Sequence, residues 1–571
     1  MDSSIKYSLV RDQRISDLSD KIEYGVEIGA SENTAQVYNA NTSTSSLITF
    51  NVVPPSESTA IDRHVLLRST LNFRLRVGSQ ANPANLAVGT SAFQYGLREG
   101  FAAFPVSQAM KTATISFNNT SISVNMRDTL PSLLHMMDQK DLQMYQGMTP
   151  VFLDNYQDFV TAIAAENNNP LAGYTQAGRS QYLMPRGVHP ISVNLVERYD
   201  GGVLQDNSLI STAVTNYWVI ECSARFTEPL FVSPMVFGHA RYNCSAFLGI
   251  NRFNMTFNMG DLSRSWCTGL PAGPDYSVEY VGQGWSDSEI LMNFLSLDQT
   301  FAAPSKIVLP FLDYDRYETL APNSGQIAAG ATREYTLNAV NLDKVPDKLL
   351  FFCRKPNRTV RDPMAFFPII RANITFANGS GRLSSFQQQQ LYQLSVANGL
   401  QMNWYSFSGK ANSWSGGVAG PSQEIPTCGS ILAIDPAKDL GLPGPYLANG
   451  SLGQFQIQVK LEIENTYPDP YVPEFVMVVV NSGIMTTIAG NSSVYSGLVN
   501  QQIAMETVQS GEEIGDKQLK RLIGGSLADS ISSALLHVPV ARKSLKSLMH
   551  QRGAARSGGK SKSSKLDMVS M

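Results

Sequence analysis

The chain has 571 residues, of which 16% are charged and 43% are hydrophobic, and its formal net charge is −3. That length is too great for one hydrophobic core, and at roughly 100 to 200 residues per domain it predicts two to four domains. The low charge, the 43 glycines and the 29 prolines favour an all-β protein, because exposed helix faces are usually rich in Glu, Lys and Arg.

Neither a signal peptide nor a membrane span is expected. The first residues lack a basic start followed by an apolar core, so we expect a soluble protein made in the cytosol. The longest apolar runs, such as residues 475–480, are far shorter than the roughly 20 residues that a membrane span needs. The five cysteines are widely spaced and form no C-x-x-C pair, which argues against a disulfide framework or a zinc site.

The first part of the chain predicts a polar arm followed by short antiparallel strands. Residues 1–34 have mixed charge and no core pattern, so we expect an arm that becomes ordered against another surface. Strands are predicted at residues 47–53, 71–78 and 112–117, where apolar residues alternate with polar ones or β-branched residues cluster.

The hydrophobic period then changes. Apolar residues between 130 and about 144 fit a helix, with Asp128 as its predicted cap. Residues 147–206 are rich in Asn, Gly and Pro, which predicts a long surface excursion. Regular structure resumes with predicted strands at 217–226 and 231–237.

The clearest strands lie near residue 460. Residues 455–464 alternate five large apolar side chains with five polar ones, which is typical of a strand with one buried face. After a Pro-rich turn, the continuous apolar run 475–480 is typical of a strand buried on both faces. We expect this pair to close a sandwich of two sheets.

Similar patterns recur in the same order along the chain, which predicts a duplicated sandwich. The matched segments are 71–78 with 253–260, 115–121 with 374–380, and 217–237 with 455–480. Each member of the second pair precedes a stretch with a helical pattern.

The duplication divides the chain into four predicted parts. These are an N-terminal arm at 1–34, a first jelly roll at 35–240, a second jelly roll at 241–490, and a C-terminal tail at 491–571. Roughly eight antiparallel strands per half, with long insertions, fit a jelly roll, whose two sheets hide most of their edges. The predicted fold class is therefore all-β: two fused jelly-roll sandwiches with long loop insertions and a partly helical, basic tail.

A family resemblance supports this fold. The second half resembles the major capsid proteins of polinton-like viruses, adintoviruses and related virophages, and the first half resembles them more loosely, at 66–78 and 217–237. The matching segments of the second half are 346–356, 374–385, 387–392, 444–464 and 475–483. The resemblance implies a double jelly-roll protomer that trimerises into a pseudo-hexameric capsomer and tiles the icosahedral shell of a double-stranded DNA virus.

The resemblance also implies partners and a location. The expected partners are two further copies of the chain in a homotrimer, neighbouring capsomers, and penton and minor capsid proteins. The expected location is the capsid shell of the virion, after synthesis in the host cytosol and assembly in the nucleus or a viral factory. Six similar sandwiches around one threefold axis would suit a position with six neighbours. Insertions at 147–206 and 261–340 would form outer towers and subunit contacts, or solvated loops.

The C-terminal tail differs in composition from the rest. A helical pattern begins near residue 516 and continues until Pro539. Residues 540–571 carry eight basic residues against one acid, a charge of +7, which leaves −10 for residues 1–539. This asymmetry favours contact with packaged double-stranded DNA or an interior protein; a solvated tail and a nuclear-import signal are alternatives. The basic residues are Arg542, Lys543, Lys546, Arg552, Arg556, Lys560, Lys562 and Lys565.

A short motif in the tail predicts proteolytic maturation. The sequence Leu522, Ile523, Gly524, Gly525, Ser526 is similar to sites cut by adenovirus-type cysteine proteases. Paired glycines fit a narrow groove that admits an extended backbone, and an apolar residue upstream fills a pocket. Our hypothesis is cleavage after Gly525 by a viral cysteine protease; a Gly-Gly pair that merely breaks a helix is the alternative.

No catalytic site, metal site or cofactor is predicted. The six histidines form no H-E-x-x-H or H-x-E pattern, and the sequence around Lys560 has Ala554 where a phosphate loop requires Gly. Two alternatives to a major capsid protein remain. One is a minor virion or receptor- or carbohydrate-binding β protein, such as a penton or spike component. The other, a sandwich-fold hydrolase, has little support because no nucleophile and base can be paired.

Overall fold

The computed structural model consists mainly of antiparallel strands. It describes residues 6–10, 24–28, 32–56, 59–79, 95, 99–157, 159, 189–200, 203–204, 217–235, 246–260, 262–269, 274–296, 306–321, 325–376, 379–414, 422–442, 449–488 and 490–496. In this part of the chain no helix has the length and apolar character to cross a bilayer.

The strands up to residue 296 are, in chain order, β1 (Lys6–Val10), β2 (Tyr24–Ile28), β3 (Glu32–Asn39), β4 (Thr42–Ser43), β5 (Leu47–Val52), β6 (Ala60–Ile61), β7 (Leu66–Ser79), β8 (Glu99–Phe101), β9 (Met110–Phe117), β10 (Thr120–Val124), β11 (Ser192–Asp200), β12 (Val203–Leu204), β13 (Tyr217–Pro229), β14 (Phe253–Met259), β15 (Trp266–Thr268) and β16 (Pro274–Ser296). The helices of this part are α1 (Pro105–Ala109), α2 (Met126–Met136) and α3 (Gln139–Gln143).

The later strands are β17 (Lys306–Leu320), β18 (Thr332–Thr336), β19 (Val340–Lys344), β20 (Lys348–Arg354), β21 (Ile369–Phe376), β22 (Gly379–Arg382), β23 (Lys410–Trp414), β24 (Ser422–Pro426), β25 (Ile431–Ile434), β26 (Leu452–Glu464), β27 (Glu474–Ile488) and β28 (Asn491–Ser496). The helices of this part are α4 (Gln388–Ala397), α5 (Trp404–Ser408) and α6 (Pro436–Asp439).

Two sheets form the first sandwich. One has the strand order β12-β11-β13-β7-β16-β3, and the other has the order β10-β9-β14-β5-β4. Alternate residues of β14 point into the core, where Phe253, Met255 and Phe257 are buried. This is the period of two that a strand with one buried face requires.

The second sandwich repeats this arrangement. Its sheets have the orders β17-β27-β20-β25 and β18-β26-β21-β22, with β28 paired to β27 and β19 paired to β26. The predicted alternation at 455–464 is confirmed, because the apolar residues of this part of β26 are buried and most of its polar residues are exposed. The chain then crosses to the other sheet, where residues 475–480 are all buried. The predicted closing pair is therefore two strands in opposite sheets.

The two sandwiches have equivalent strand orders. In one sheet, β3-β16-β7-β13 corresponds to β17-β27-β20-β25, and in the other, β5-β14-β9-β10 corresponds to β18-β26-β21-β22. The predicted match between 115–121 and 374–380 is also confirmed, because β9–β10 and β21–β22 are hairpins that precede α2 and α4. The duplicated jelly roll is thus present in the strand pairing itself.

The predicted division between residues 240 and 241 is wrong. Strands β14 and β16 pair with β5, β9, β7 and β3, so residues 253–296 belong to the first sandwich. The predicted match of 71–78 with 253–260 is wrong for the same reason, since β7 and β14 lie in opposite sheets of one sandwich. The counterpart of β26 is β14 and not the predicted segment 217–226. A jelly roll pairs its last strands with its first, and local sequence patterns carry no record of that pairing.

Other predictions are corrected by the same sheets. The described residues 231–235 form a buried turn with a cis bond between Ser233 and Pro234, and not a strand. The excursion predicted at 147–206 includes β11, which extends a sheet beside β13. The insertion predicted at 261–340 contains β16 and β17, which are core strands. The arm predicted at 1–34 contains a β1–β2 hairpin, and its last residues belong to β3, paired with β16.

Candidate assembly site: the junction between the two sandwiches

The two sandwiches contact each other at two places. At one end, the turn between β9 and β10 of the first sandwich contacts β28 of the second. Asn118 Nδ2 donates to Ser492 Oγ at 3.0 Å, and the Ser492 backbone N–H donates to Asn119 Oδ1 at 2.8 Å. Thr120 Oγ1 donates to the Ser492 carbonyl. Asn118 has a φ of 52°, a left-handed conformation that Asn tolerates better than most residues.

At the other end, an ionic network joins α2 of the first sandwich to β20 and β27 of the second. Arg354 Nε lies 2.6 Å from Glu474 Oε2, and the same guanidinium pairs with Asp128. Both carboxylate side chains are almost fully buried, at 2% and 3% exposure. Buried charges are tolerated only when they are paired and hydrogen-bonded, so this network depends on all of its members.

The start of α2 explains why Asp128 is available for this network. The N-cap is Asn125, whose side chain accepts a hydrogen bond from the Asp128 backbone N–H at 3.2 Å. The prediction that Asp128 caps the helix is therefore wrong, and the predicted single helix is split into α2 and α3. Because Asn125 satisfies the helix end, the Asp128 carboxylate accepts from Arg354 and from Arg316 Nη1 at 2.6 Å.

Glu474 of the network also shares a hydrogen bond with the carboxyl group of Glu318. Burial raises the pKa of Glu474, and a hydrogen bond with Glu318 raises this pKa further, while Arg354 opposes the change. The same hydrogen bond lowers the pKa of Glu318, which also accepts from Arg316 at 2.7 Å. As the pH falls, Glu474 therefore takes up a proton before Glu318 does.

His135 lies at the same junction, near the end of α2. Its backbone carbonyl accepts from the Gln401 N–H at 2.8 Å, and its ring meets Phe366 edge-on with centroids 6.0 Å apart. Burial lowers the pKa of the His135 imidazole to about 4. The ring is therefore neutral at pH 7, where it packs as an apolar surface between the sandwiches.

The site residues predicted from sequence are not among the residues that the structure describes. Leu522, Gly524, Gly525 and Ser526, the eight basic residues of the tail and the helical pattern near residue 516 are all outside the described residues. Sequence reasoning missed Arg354 and Glu474. Their signal was a charged residue directly beside a fully buried run, after 349–353 and before 475–480, since such a residue needs a partner.

Within the described ranges, no group of three or more His, Cys, Asp or Glu side chains is arranged to hold a metal ion. The residues at the junction are joined to one another by hydrogen bonds and ion pairs, and they connect the two sandwiches, which have the same topology. The arrangement fixes the relative orientation of two similar units, which is a structural role.

Comparisons with known proteins agree with this architecture. A family model of the first domain of the Sputnik virophage major capsid protein matches residues 3–295, and a model of the major capsid protein V20 C-terminal domain matches residues 314–483. The putative capsid protein V20 of Sputnik virophage is 26% identical over 547 residues, which covers 91% of this chain and 84% of that protein.

Two solved structures share the fold. The chain in the structure of the Sputnik virophage has a TM-score of 0.72 at 22% identity, covering 92% of this chain and 100% of that one. The mavirus major capsid protein has a TM-score of 0.65 at 16% identity, covering 89% of this chain and 99% of that one. Since the first family model alone spans more than half of the residues, the chain belongs to the Sputnik virophage major capsid protein family: it is a capsid protein of the virion, built to assemble with other capsid subunits in a shell, and not an enzyme.

Proposed function

We propose that three copies of the chain form a pseudo-hexameric capsomer, and that these capsomers tile the icosahedral shell of a double-stranded DNA virus. The observation that carries this proposal is the equivalent strand order of two sandwiches that contact each other. A threefold axis through three such pairs would be surrounded by six similar sandwiches, and closed symmetry leaves no unpaired subunit edge. A unit of this kind fits shell positions with six neighbouring capsomers.

The junction supports the proposal because tiling requires a fixed angle between the two sandwiches. Ser492 is held by the β9–β10 turn at one end, and Arg354 is held by Asp128 at the other. Contacts at two well-separated points resist rotation of one sandwich against the other. A protomer with a hinge at this junction would present six sandwiches in varying orientations.

Size-exclusion chromatography with light scattering tests the stoichiometry. We expect a stable trimer of about 187 kDa, three times the 62.4 kDa mass of the chain. A monomer at all protein concentrations would contradict the proposal. A pentamer would instead support the alternative, a penton component that occupies the fivefold positions.

We further propose that the tail from residue 540 contacts packaged DNA. Its +7 charge, against −10 for the rest of the chain, would attract phosphates without sequence preference. In a particle assembly system, we expect replacement of its eight Lys and Arg residues by Gln to lower the DNA content of the particles. A matched variant that exchanges Lys and Arg should leave the DNA content unchanged, and equal packaging by both variants would contradict the DNA role.

The motif around Gly525 is proposed as a maturation site for a viral cysteine protease. Gly524 and Gly525 would enter a narrow groove, and Leu522 would fill an apolar pocket. Intact-mass analysis of mature particles should show a chain that ends at Gly525. We expect Gly525→Val to leave the chain uncut, whereas Ser510→Ala, outside the motif, should not. An uncut C-terminus in mature wild-type particles would contradict this proposal.

A further inference from the structure

A basic cleft lies between the two sandwiches, next to the network of Asp128, Arg354 and Glu474. Its volume is about 250 Å³, and both sandwiches contribute to its walls. Cations dominate its described lining, where Asp362 is the sole carboxylate. The lining cations are Lys111, Arg127, Arg264, Arg354, Lys355 and Arg358.

The carboxylates near the cleft are already occupied. Asp362 lies 2.9 Å from Lys355 Nζ and also accepts from the Thr359 backbone N–H at 2.9 Å. Asp128 and Glu474 pair with Arg354. As a result, among the described residues no carboxylate forms an ion pair with Arg264 or Arg358.

Arg264 is crowded by charges of its own sign. Its Nη2 donates to the Arg127 carbonyl at 2.8 Å, and Arg354 Nη1 donates to the same oxygen at 3.2 Å. Burial, and then the positive charges of Arg358, Arg354 and Arg127, lower the pKa of the Arg264 guanidinium to about 9. The charge of Asp128 opposes this change, and a further negative charge in the cleft would oppose it more strongly.

Arg358 uses one of the five N–H donors of its guanidinium within the described part of the chain. Its Nε donates to the Asp362 backbone carbonyl at 2.9 Å. Its Nη1 and Nη2 atoms are shielded from solvent and have no hydrogen-bond partner among the described residues. Unpaired buried donors are rare in native proteins because each loses its hydration, so these two nitrogen atoms are suited to an acceptor that enters the cleft.

We propose that this cleft binds a free, phosphate-sized oxyanion, which Arg264 of the first sandwich and Arg358 of the second hold between them. The planar guanidinium fork matches the oxygens of phosphate and sulfate, and a doubly charged ion would neutralise both side chains. Nucleic acid is the less suitable ligand, because backbone binding uses an extended basic surface, whereas these charges converge on one small space. The bound ion would link the two sandwiches at the end where Asp128 and Arg354 meet.

Thermal unfolding of the full-length protein tests the proposal. At equal ionic strength, replacement of potassium chloride by potassium phosphate should raise the Tm by several degrees and saturate at millimolar concentration. Phosphate also stabilises proteins generally through exclusion from their surface, so variants are required. Arg358→Gln should lose the saturable rise. Arg371→Gln, at an exposed position with a weak ion pair at 3.7 Å, should keep it.

The Tm in chloride separates anion binding from a purely structural role for Arg358. If the cleft binds an anion, Arg358→Gln should match or exceed the Tm of wild type in chloride, because it removes a charge that repels Arg264. A purely structural role would instead lower the Tm of this variant in chloride. Equilibrium dialysis of wild type with labelled inorganic phosphate should give one site per chain. Absence of a saturable site in dialysis, or an equal Tm rise in Arg358→Gln, would overturn the proposal. So would protection by a short oligonucleotide but not by free phosphate.

Discussion

Arg354 of the second sandwich binds Asp128 of the first and Glu474 of its own sheet with a single guanidinium, so one side chain connects three elements that are far apart in sequence. Both carboxylates are almost fully buried, and loss of the cation would remove the nearest positive charge from Glu474 and one of the close partners of Asp128. The orientation of the two sandwiches therefore depends on a polar contact, and not only on apolar packing.

We expect Arg354→Met to destabilise the protein strongly. Removal of one partner from a buried ion pair costs about 3 to 5 kcal/mol, because the remaining charges keep their desolvation penalty. Chemical denaturation monitored by tryptophan fluorescence measures the change in the free energy of unfolding. Arg371→Met, at an exposed ion pair, should change the stability by less than about 1 kcal/mol. Similar effects of the two substitutions would contradict this role for Arg354.

The stability of the junction should depend on pH through His135. Its pKa is about 4 in the folded protein and about 6.5 when exposed, so between these values the unfolded chain binds more protons. Stability is therefore retained above pH 6.5 and is lost as the pH falls towards 4, by about 3 kcal/mol in total.

The variant His135→Leu isolates this contribution, because carboxyl groups titrate in both proteins. The difference in unfolding free energy between wild type and variant should change across pH 4 to 6.5 and stay constant above that range. A constant difference throughout would mean that His135 does not couple folding to pH.

Glu228 should be essential to the first sandwich. This fully buried carboxylate accepts from the backbone N–H groups of Val106 at 2.9 Å and Ser107 at 2.8 Å, and from Thr149 Oγ1 at 3.1 Å. Glu228→Ala would leave these donors without a partner and should cost about 3 kcal/mol. The exposed residue Glu279 provides the control, because Glu279→Ala should have little effect on the Tm.

Gly483 should be required for the contact between β28 and the first sandwich. A Cβ atom at this position would lie 2.1 Å from the Tyr495 carbonyl oxygen, so any side chain must displace β28 from β27. Gly483→Ala should cost about 1 to 3 kcal/mol. It should also increase hydrogen exchange at 491–496 and at the β9–β10 turn that Ser492 contacts. Unchanged exchange in both segments would contradict this coupling.

The sequence predicted those features that depend on local pattern. Alternation identified β26, a continuous apolar run identified β27, and the hairpin followed by a helix identified a true repeat. Each of these signals lies within about twenty residues, where the periods of strands and helices are visible. The family resemblance then supplied the jelly-roll class.

Features that depend on distant pairing were not predictable in this way. The domain boundary was misplaced because β16 lies between β3 and β7, although it follows them by about 200 residues. The residues 231–235 are as apolar as a strand, yet they fill the core as a turn. The pairing of Asp128 with Arg354 spans 226 positions, and only the assembled sheets bring these side chains together.

Electron cryo-microscopy of the purified full-length protein tests directly whether three copies of the chain form a pseudo-hexameric capsomer. We expect a particle with threefold symmetry in which six sandwich-shaped densities form a ring, with each chain contributing two of equal topology. Particles with fivefold symmetry, or with the two sandwiches of one chain in variable relative orientation, would contradict this expectation.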